Sequence, residues 1–213
     1  MNKLLQGIVS LRRTAFIKPS DIFAILNISL FVGMCYVAYF DRFVGDQEHE
    51  YIEEFFVYAI VVILLILFIW RVARHFPVPG WLLVLTQLGI VMHFAGGLAL
   101  FNDGRLYDLI IMGVRYDKYV HFFNAIVAAV YVQRILWVYA QKHTWLSDLL
   151  TILVVLGLGA CVEIIEYLVM LTVRVTGVGS YDNNLQDIIA NLTGVTLYVL
   201  GARLIQQLNP SSD

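Results

Sequence analysis

The chain has 213 residues, is 60% hydrophobic and only 14% charged, and carries a formal net charge of −2 at pH 7. Long uncharged apolar runs at that composition exclude a soluble globular domain and mark a polytopic membrane protein. Nucleic-acid binding is excluded too, because no basic cluster exceeds a few residues.

Residues 1–20 interleave Lys3, Arg12, Arg13 and Lys18 with Leu4, Leu5, Ile8, Val9 and Leu11. That mixture predicts an amphipathic segment on the cytoplasmic membrane surface, ahead of the first span. Its basic start breaks at Arg12-Arg13, without the long apolar core of a cleavable signal peptide. Pro19-Ser20-Asp21 supplies a helix start before an apolar run. Six transmembrane helices are then expected at 22–40, 55–71, 80–101, 119–140, 149–173 and 185–206. The predicted fold class is all-α, an integral membrane bundle of six transmembrane helices over 21–208, preceded by the amphipathic segment and followed by a tail, 209–213. Cys35 and Cys161 both fall in apolar runs and are read as small packing residues, with no disulfide framework.

Lys and Arg in the short loops set the orientation. With the N-terminus inside, Lys3, Arg12, Arg13, Lys18, Arg71, Arg74, Arg134, Lys142 and Arg203 face the cytoplasm. Arg42, Arg105, Arg115, Lys118 and Arg174 then face out, and this nine-to-five asymmetry places both termini in the cytoplasm. Between the third and fourth spans, 102–117 contains Leu106-Tyr107-Asp108-Leu109-Ile110-Ile111-Met112. It is expected as a short interfacial helix or re-entrant segment over the outer mouth of the bundle. Gly96-Gly97, Gly157, Gly159, Gly194 and Gly201 are expected where helices pack closely.

This topology gives each unusual polar residue a depth. The fifth span carries Glu163 and Glu166, three apart and so on one helix face. A charge at that depth costs about 2.5–3.5 kcal/mol on insertion scales, so the pair needs partners inside the bundle. His93 in span three, Asp117, Lys118 and His121 in span four, and Asp182, Asn183, Asn184, Asp187 and Asn191 in span six reach the same outer end. Asp117 and His121 are four apart, as are Asp187 and Asn191, and each pair shares a face. No counterpart is expected in the inner leaflet.

Carboxylates, an amide and imidazoles on facing helices are how bundles build metal sites, and this donor set suits a divalent metal: Zn, Mn, Mg or Fe. His93, Asp117, His121, Glu163, Asp187 and Asn191 are the expected ligands. Glu166 is the candidate general base, Glu163 a further acid/base group, and Lys118 with Arg115 would hold an anionic headgroup or phosphate. Simpler readings stand beside these. His93 is also read as a hydrogen-bonded interior histidine, Asp117-Lys118 as an ion pair that fixes span depth, and Asp182-Asn183-Asn184 with Asp187 as a capped helix start. Asn191 is also read as interhelical glue. The glutamates are different, because intramembrane ionisable groups are functional by default.

Tyr116-Asp117-Lys118-Tyr119-Val120-His121-Phe122, Glu163-Ile-Ile-Glu166-Tyr167, Tyr181-Asp182 and Asp187-Ile-Ile-Ala-Asn191-Leu-Thr-Gly194 resemble motifs of two related sets of small bacterial membrane proteins. The VanZ-like family has an Asp-Lys-x-x-His helix start, a later Glu and a final Asp-x-x-x-Asn-x-x-Gly helix. The YjdF-like family is nearer in Met92-His93-Phe94 and in Glu-x-x-Glu. The resemblance covers about residues 90–205 and implies a multi-pass protein of the bacterial cytoplasmic (inner) membrane. VanZ-like proteins are linked by name to glycopeptide-antibiotic (teicoplanin) resistance, which implies work at the outer face on envelope components. Neither family brings an established reaction. The chain departs from the VanZ-like pattern in having Tyr167 rather than Gln soon after the glutamate, and in the additional His93.

The leading functional expectation is a metal-dependent membrane hydrolase acting on a lipid-linked or envelope substrate from the outer leaflet. A non-enzymatic factor that binds a headgroup or antibiotic is the alternative. A small proton-coupled transporter comes third, because polar residues stop at mid-membrane and broken helices and inverted repeats are missing.

Overall fold

The computed structural model describes residues 17–39, 52–75, 78–101, 104–140, 144–172 and 181–208. The expected surface segment up to residue 16 and the tail 209–213 lie outside the described residues. Six long helices occupy the six apolar stretches. They are α1 (Pro19–Met34, continued by a π-helical turn, Cys35–Tyr39), α2 (Ile52–Ala73), α3 (Gly80–Leu98), α4 (Tyr116–Ala140), α5 (Trp145–Thr172) and α6 (Tyr181–Leu208). Among the described residues, four stretches are long and apolar enough to cross a bilayer: Pro19–Val37, Tyr116–Leu136, Trp145–Leu168 and Tyr181–Leu208. Val62–Arg71 in α2 and Gly80–Gly96 in α3 are shorter apolar stretches.

Helix packing divides the chain into two compact units, Met1–Leu83 and Val84–Asp213. In the first, Pro19 occupies the first turn of α1, where its missing N–H is no loss, and Asp21 accepts from the Lys18 backbone N–H at 2.9 Å to cap that turn. Asp21 also accepts from Trp70 Nε1 at 2.8 Å and pairs with Arg74 at 3.1 Å, so the start of α1 meets the end of α2. Phe31 and Cys35 are buried against Ala59, Val62, Ile63 and Ile66. Cys161, by contrast, lies on the exposed face of α5 and packs no core, because the buried stripe of that helix runs through Thr151, Val155 and Glu163.

In the second unit, α4, α5 and α6 pack around Ala125, Ala129, Val155, Val195 and Val199. Small and β-branched side chains dominate this core, as expected where helices associate in lipid by close contact. Between α3 and α4, the expected interfacial helix is replaced by two antiparallel ribbons, β1 (Leu100–Phe101) with β2 (Gly104–Arg105) and β3 (Ile110–Ile111) with β4 (Val114–Arg115). Only Leu106–Asp108 makes a single 3-10 turn. The β-branched Ile110, Ile111 and Val114 favour strand, and Met112 (φ 52°) with Gly113 (φ 81°) closes a two-residue turn with both φ positive, as in type I′ hairpins.

The glycines separate into two kinds. A Cβ at Gly194 would meet the Phe122 carbonyl oxygen of α4 and lie 3.3 Å from Ala125 Cβ, and one at Gly159 would lie 2.6 Å from Asn191 Nδ2. Gly157 and Gly201, expected in the same role, face open space, so they set no helix spacing. Gly194→Ala is expected to destabilise the protein by about 1–3 kcal/mol through overpacking. Gly201→Ala should be neutral or gain up to about 1 kcal/mol from helix propensity. Thermal unfolding of both variants in detergent checks the contrast.

Candidate functional site

Three helices meet at one end of the second unit. The first turn of α4 supplies Asp117, Lys118 and, one turn on, His121. The α5 helix supplies Glu163 and Glu166, and the first turns of α6 supply Asn183, Asp187 and Asn191. Asp117, Lys118, Glu163, Asp187 and Asn191 are all buried.

Lys118 is the hub. Its ammonium donates to Asp187 Oδ1 at 2.8 Å, to Asn183 Oδ1 at 2.8 Å and carbonyl oxygen at 3.1 Å, and to Asp117 Oδ2 at 3.1 Å. Asn183 Nδ2 in turn donates to Asp187 Oδ2 at 2.8 Å, so both oxygens of that carboxylate are held. His121 stands between two acids, with Nε2 3.4 Å from Asp187 Oδ1 and Nδ1 3.9 Å from Glu163 Oε1. The Asn191 side chain hydrogen-bonds the imidazole, and Gly159 leaves the space that this amide fills.

Glu163 lacks such partners on both oxygens. It is 5% exposed, and neither carboxylate oxygen has a hydrogen-bond partner. A buried acid in that condition carries its full desolvation penalty unless a proton or a cation joins it. One ligand atom each from His121, Glu163 and Asp187 lies within 4.8 Å of the others. Glu166 is half-buried beside them, in electrostatic range of Asp187, Lys118 and Asp117.

Outside this cluster, Arg115 Nη2 pairs with Asp117 at 3.6 Å and with Asp108 at 2.8 Å, and Asp108 also binds Arg105 at 3.2 Å. Among the described residues, the carboxylates of Asp108, Asp117, Glu163, Glu166 and Asp187 and the cations of Arg105, Arg115 and Lys118 are thus linked by ion pairs or electrostatic contact. Of the residues singled out in the sequence, His121, Glu163 and Asp187 converge, while Asn191 and Lys118 support them. His93 and Asp117 do not join the three converging donors. His93 Nδ1 is instead 2.5 Å from the Tyr107 hydroxyl, with its ring edge-on to Phe94 and Tyr107.

Two features are not legible in the motifs. Asn183 is a structural partner of Lys118 rather than a plain helix cap; its i, i+4 spacing from Asp187 is the signal that points to it. The opposite end of the same three helices, expected to hold no polar counterpart, carries one. Asp148, 2% exposed, pairs with Arg203 and accepts from Gln133 Nε2 at 3.3 Å, and the Arg203 guanidinium lies 3.6 Å over the Trp145 ring. These residues come from three helices, and Asp148 and Arg203 are 55 positions apart, so no local spacing announces them. The apolar layer of Ala125, Ala129, Val155, Val195 and Val199 belongs to the helices between the two polar ends.

Removing the hub cation leaves Asp187 buried without its ammonium partner and Asp117 with only the 3.6 Å pair to Arg115. Lys118→Met is expected to cost about 3–5 kcal/mol, and Lys118→Met combined with Asp187→Asn should cost less than the single change. Unfolding of the two variants in detergent, compared as a double-mutant cycle, measures the coupling.

No curated protein and no solved structure matches the chain. Residues 22–207 match the family described as predicted membrane protein (DUF2238), a span that includes every residue of the cluster. The chain therefore belongs to the DUF2238 family of predicted membrane proteins.

Proposed function

We propose that the protein is a metal-dependent hydrolase embedded in the bacterial inner membrane, acting on a lipid-linked or envelope component at the outer leaflet. The observation that carries this reading is Glu163, buried with both oxygens unpartnered and within 4.8 Å of His121 and Asp187 donor atoms. One imidazole and two carboxylates suit Zn, Mn, Mg or Fe. Three tetrahedral donors around such an ion stand roughly 3.4 Å apart, from bond lengths of about 2.0–2.2 Å. The His121–Asp187 separation of 3.4 Å already meets that spacing, and Glu163 would draw inward.

His121, Glu163 and Asp187 would hold the ion, whose chemistry when bound is electrophilic activation of water or of a substrate oxygen. Asn191 orients the His121 ring, and Lys118 with Asn183 fixes the Asp187 carboxylate, in the manner of outer partners that aim metal ligands. Glu166, beside the cluster and without a hydrogen bond to it, is placed to take a proton from the attacking water. Lys118 has its N–H groups engaged by Asp117, Asn183 and Asp187. The headgroup role therefore passes to Arg115, whose Nε is unpartnered.

Six membrane crossings, with both termini cytoplasmic and the site in the outer leaflet, complete the reading. They are supported by the Lys and Arg asymmetry and by the VanZ-like and YjdF-like motifs at Asp117–His121, Glu163–Glu166 and Asp187–Gly194. A proton-coupled transporter fits less well, because an apolar layer interrupts the polar groups along α4, α5 and α6.

Metal analysis of the purified protein is expected to give about one divalent ion per chain, lost in Glu163→Ala and Asp187→Ala. Adding the ion back to chelated protein at about 100-fold over its Kd should stabilise wild type by about 2.7 kcal/mol and leave Glu163→Ala unmoved. Absence of both binding and stabilisation with all four metals overturns the metal-dependent reading. Glu166→Gln should keep the metal and lose turnover of lipid-linked phosphates. Metal binding without turnover in wild type would replace the enzyme with a headgroup-binding protein.

A further inference from the structure

The β3–β4 hairpin has a tip with no polar side chain, running Ile110, Ile111, Met112, Gly113, Val114. Ile110 is 67% exposed and Met112 95%. A two-residue turn with both φ positive usually takes Asn-Gly or Asp-Gly, because Asn and Asp tolerate the left-handed region. Here Met112 takes φ 52°, a backbone conformation that a side chain of its kind adopts only at a cost. In water that choice adds exposed apolar surface to backbone strain. Against lipid it is compensated, since moving the apolar methionine side chain out of water is favourable.

The tip is also anchored to a helix apolar enough to span a bilayer. β4 ends at Arg115 and α4 begins at Tyr116, so the hairpin continues directly into a helix apolar enough to span. Tyr119, in the first turn of α4, donates to the Ile111 carbonyl at 2.8 Å, and the Tyr116 N–H donates to the Leu109 carbonyl at 2.8 Å. Tyr107, Tyr116 and Tyr119 gather at the base, where aromatic residues mark the interface of a bilayer. The charged groups (Arg105, Asp108 and Arg115) pair with one another below the tip rather than along it.

We infer that the β3–β4 hairpin is a lipid-binding finger whose tip, Ile110 to Val114, is immersed in the headgroup–acyl boundary of the leaflet that holds this end of α4. The occupant is the bilayer itself, because the apolar tip is continuous in the chain with a helix built to lie in it. Arg115, at the foot of the finger, pairs with Asp117 beside the polar cluster, which ties that cluster to the lipid surface. The inference holds whether or not the cluster binds metal.

The test uses the full chain in vesicles of phosphatidylethanolamine and phosphatidylglycerol. Met112→Cys, in a Cys35→Ala/Cys161→Ala background, carries a nitroxide, and Val114→Cys serves as a second position. Collisions with oxygen, which concentrates in the acyl region, are expected to exceed those with a water-soluble nickel chelate at both positions. A preference for the nickel chelate overturns the inference. Protection from both reagents, as under a protein partner, overturns it equally.

Discussion

A carboxylate inside a membrane protein has no water to neutralise it, and the second unit is organised around that constraint. Lys118 answers it for Asp117 and Asp187, with Asn183 completing the coordination of the ammonium. Arg203 answers it for Asp148 at the other end of the same helices. Glu163 is left without an answer from hydrogen-bonding side chains. In low dielectric an unmet charge is expensive, so this residue is where a ligand or a proton has the most to gain.

The helices can meet these demands only because they approach closely. Gly194 lets the α6 backbone come up to the Phe122 carbonyl of α4, and Gly159 makes room for Asn191 next to His121. Alanine and valine fill the layer between the polar ends, where dispersion contacts rather than water exclusion hold the helices together. The same residues thus set helix spacing and determine which polar groups come within reach. A larger side chain at Gly159 would act on the cluster as well as on packing.

The hairpins between α3 and α4 join the cluster to its surroundings. Their ion pairs run from Arg105 through Asp108 and Arg115 to Asp117, and Tyr107 packs on Gly96 while holding His93. His93 is therefore engaged by the loop through Nδ1, the hydrogen-bonded interior role that the sequence offers beside that of a ligand. The two roles cannot be told apart from a histidine in an apolar run, because only the path of the loop decides which neighbour it meets.

The sequence by itself determined the membrane class, the six apolar helices and the shared end of the polar residues, since hydropathy and the 1.5 Å rise of a helix fix depth without reference to neighbours. Pairs such as Asp117 and His121, or Asp187 and Asn191, were legible for the same reason, being neighbours on one helix. Contacts between helices were not. That Lys118 reaches Asp187, that Asp148 finds Arg203, that Glu163 stays without a hydrogen bond and that Leu100–Phe101, Gly104–Arg105, Ile110–Ile111 and Val114–Arg115 pair as β-ribbons all depend on helix rotation and on backbone turns. Only tertiary packing decides those, because a helix face has many possible partners in a sequence and a single one once the chain is folded.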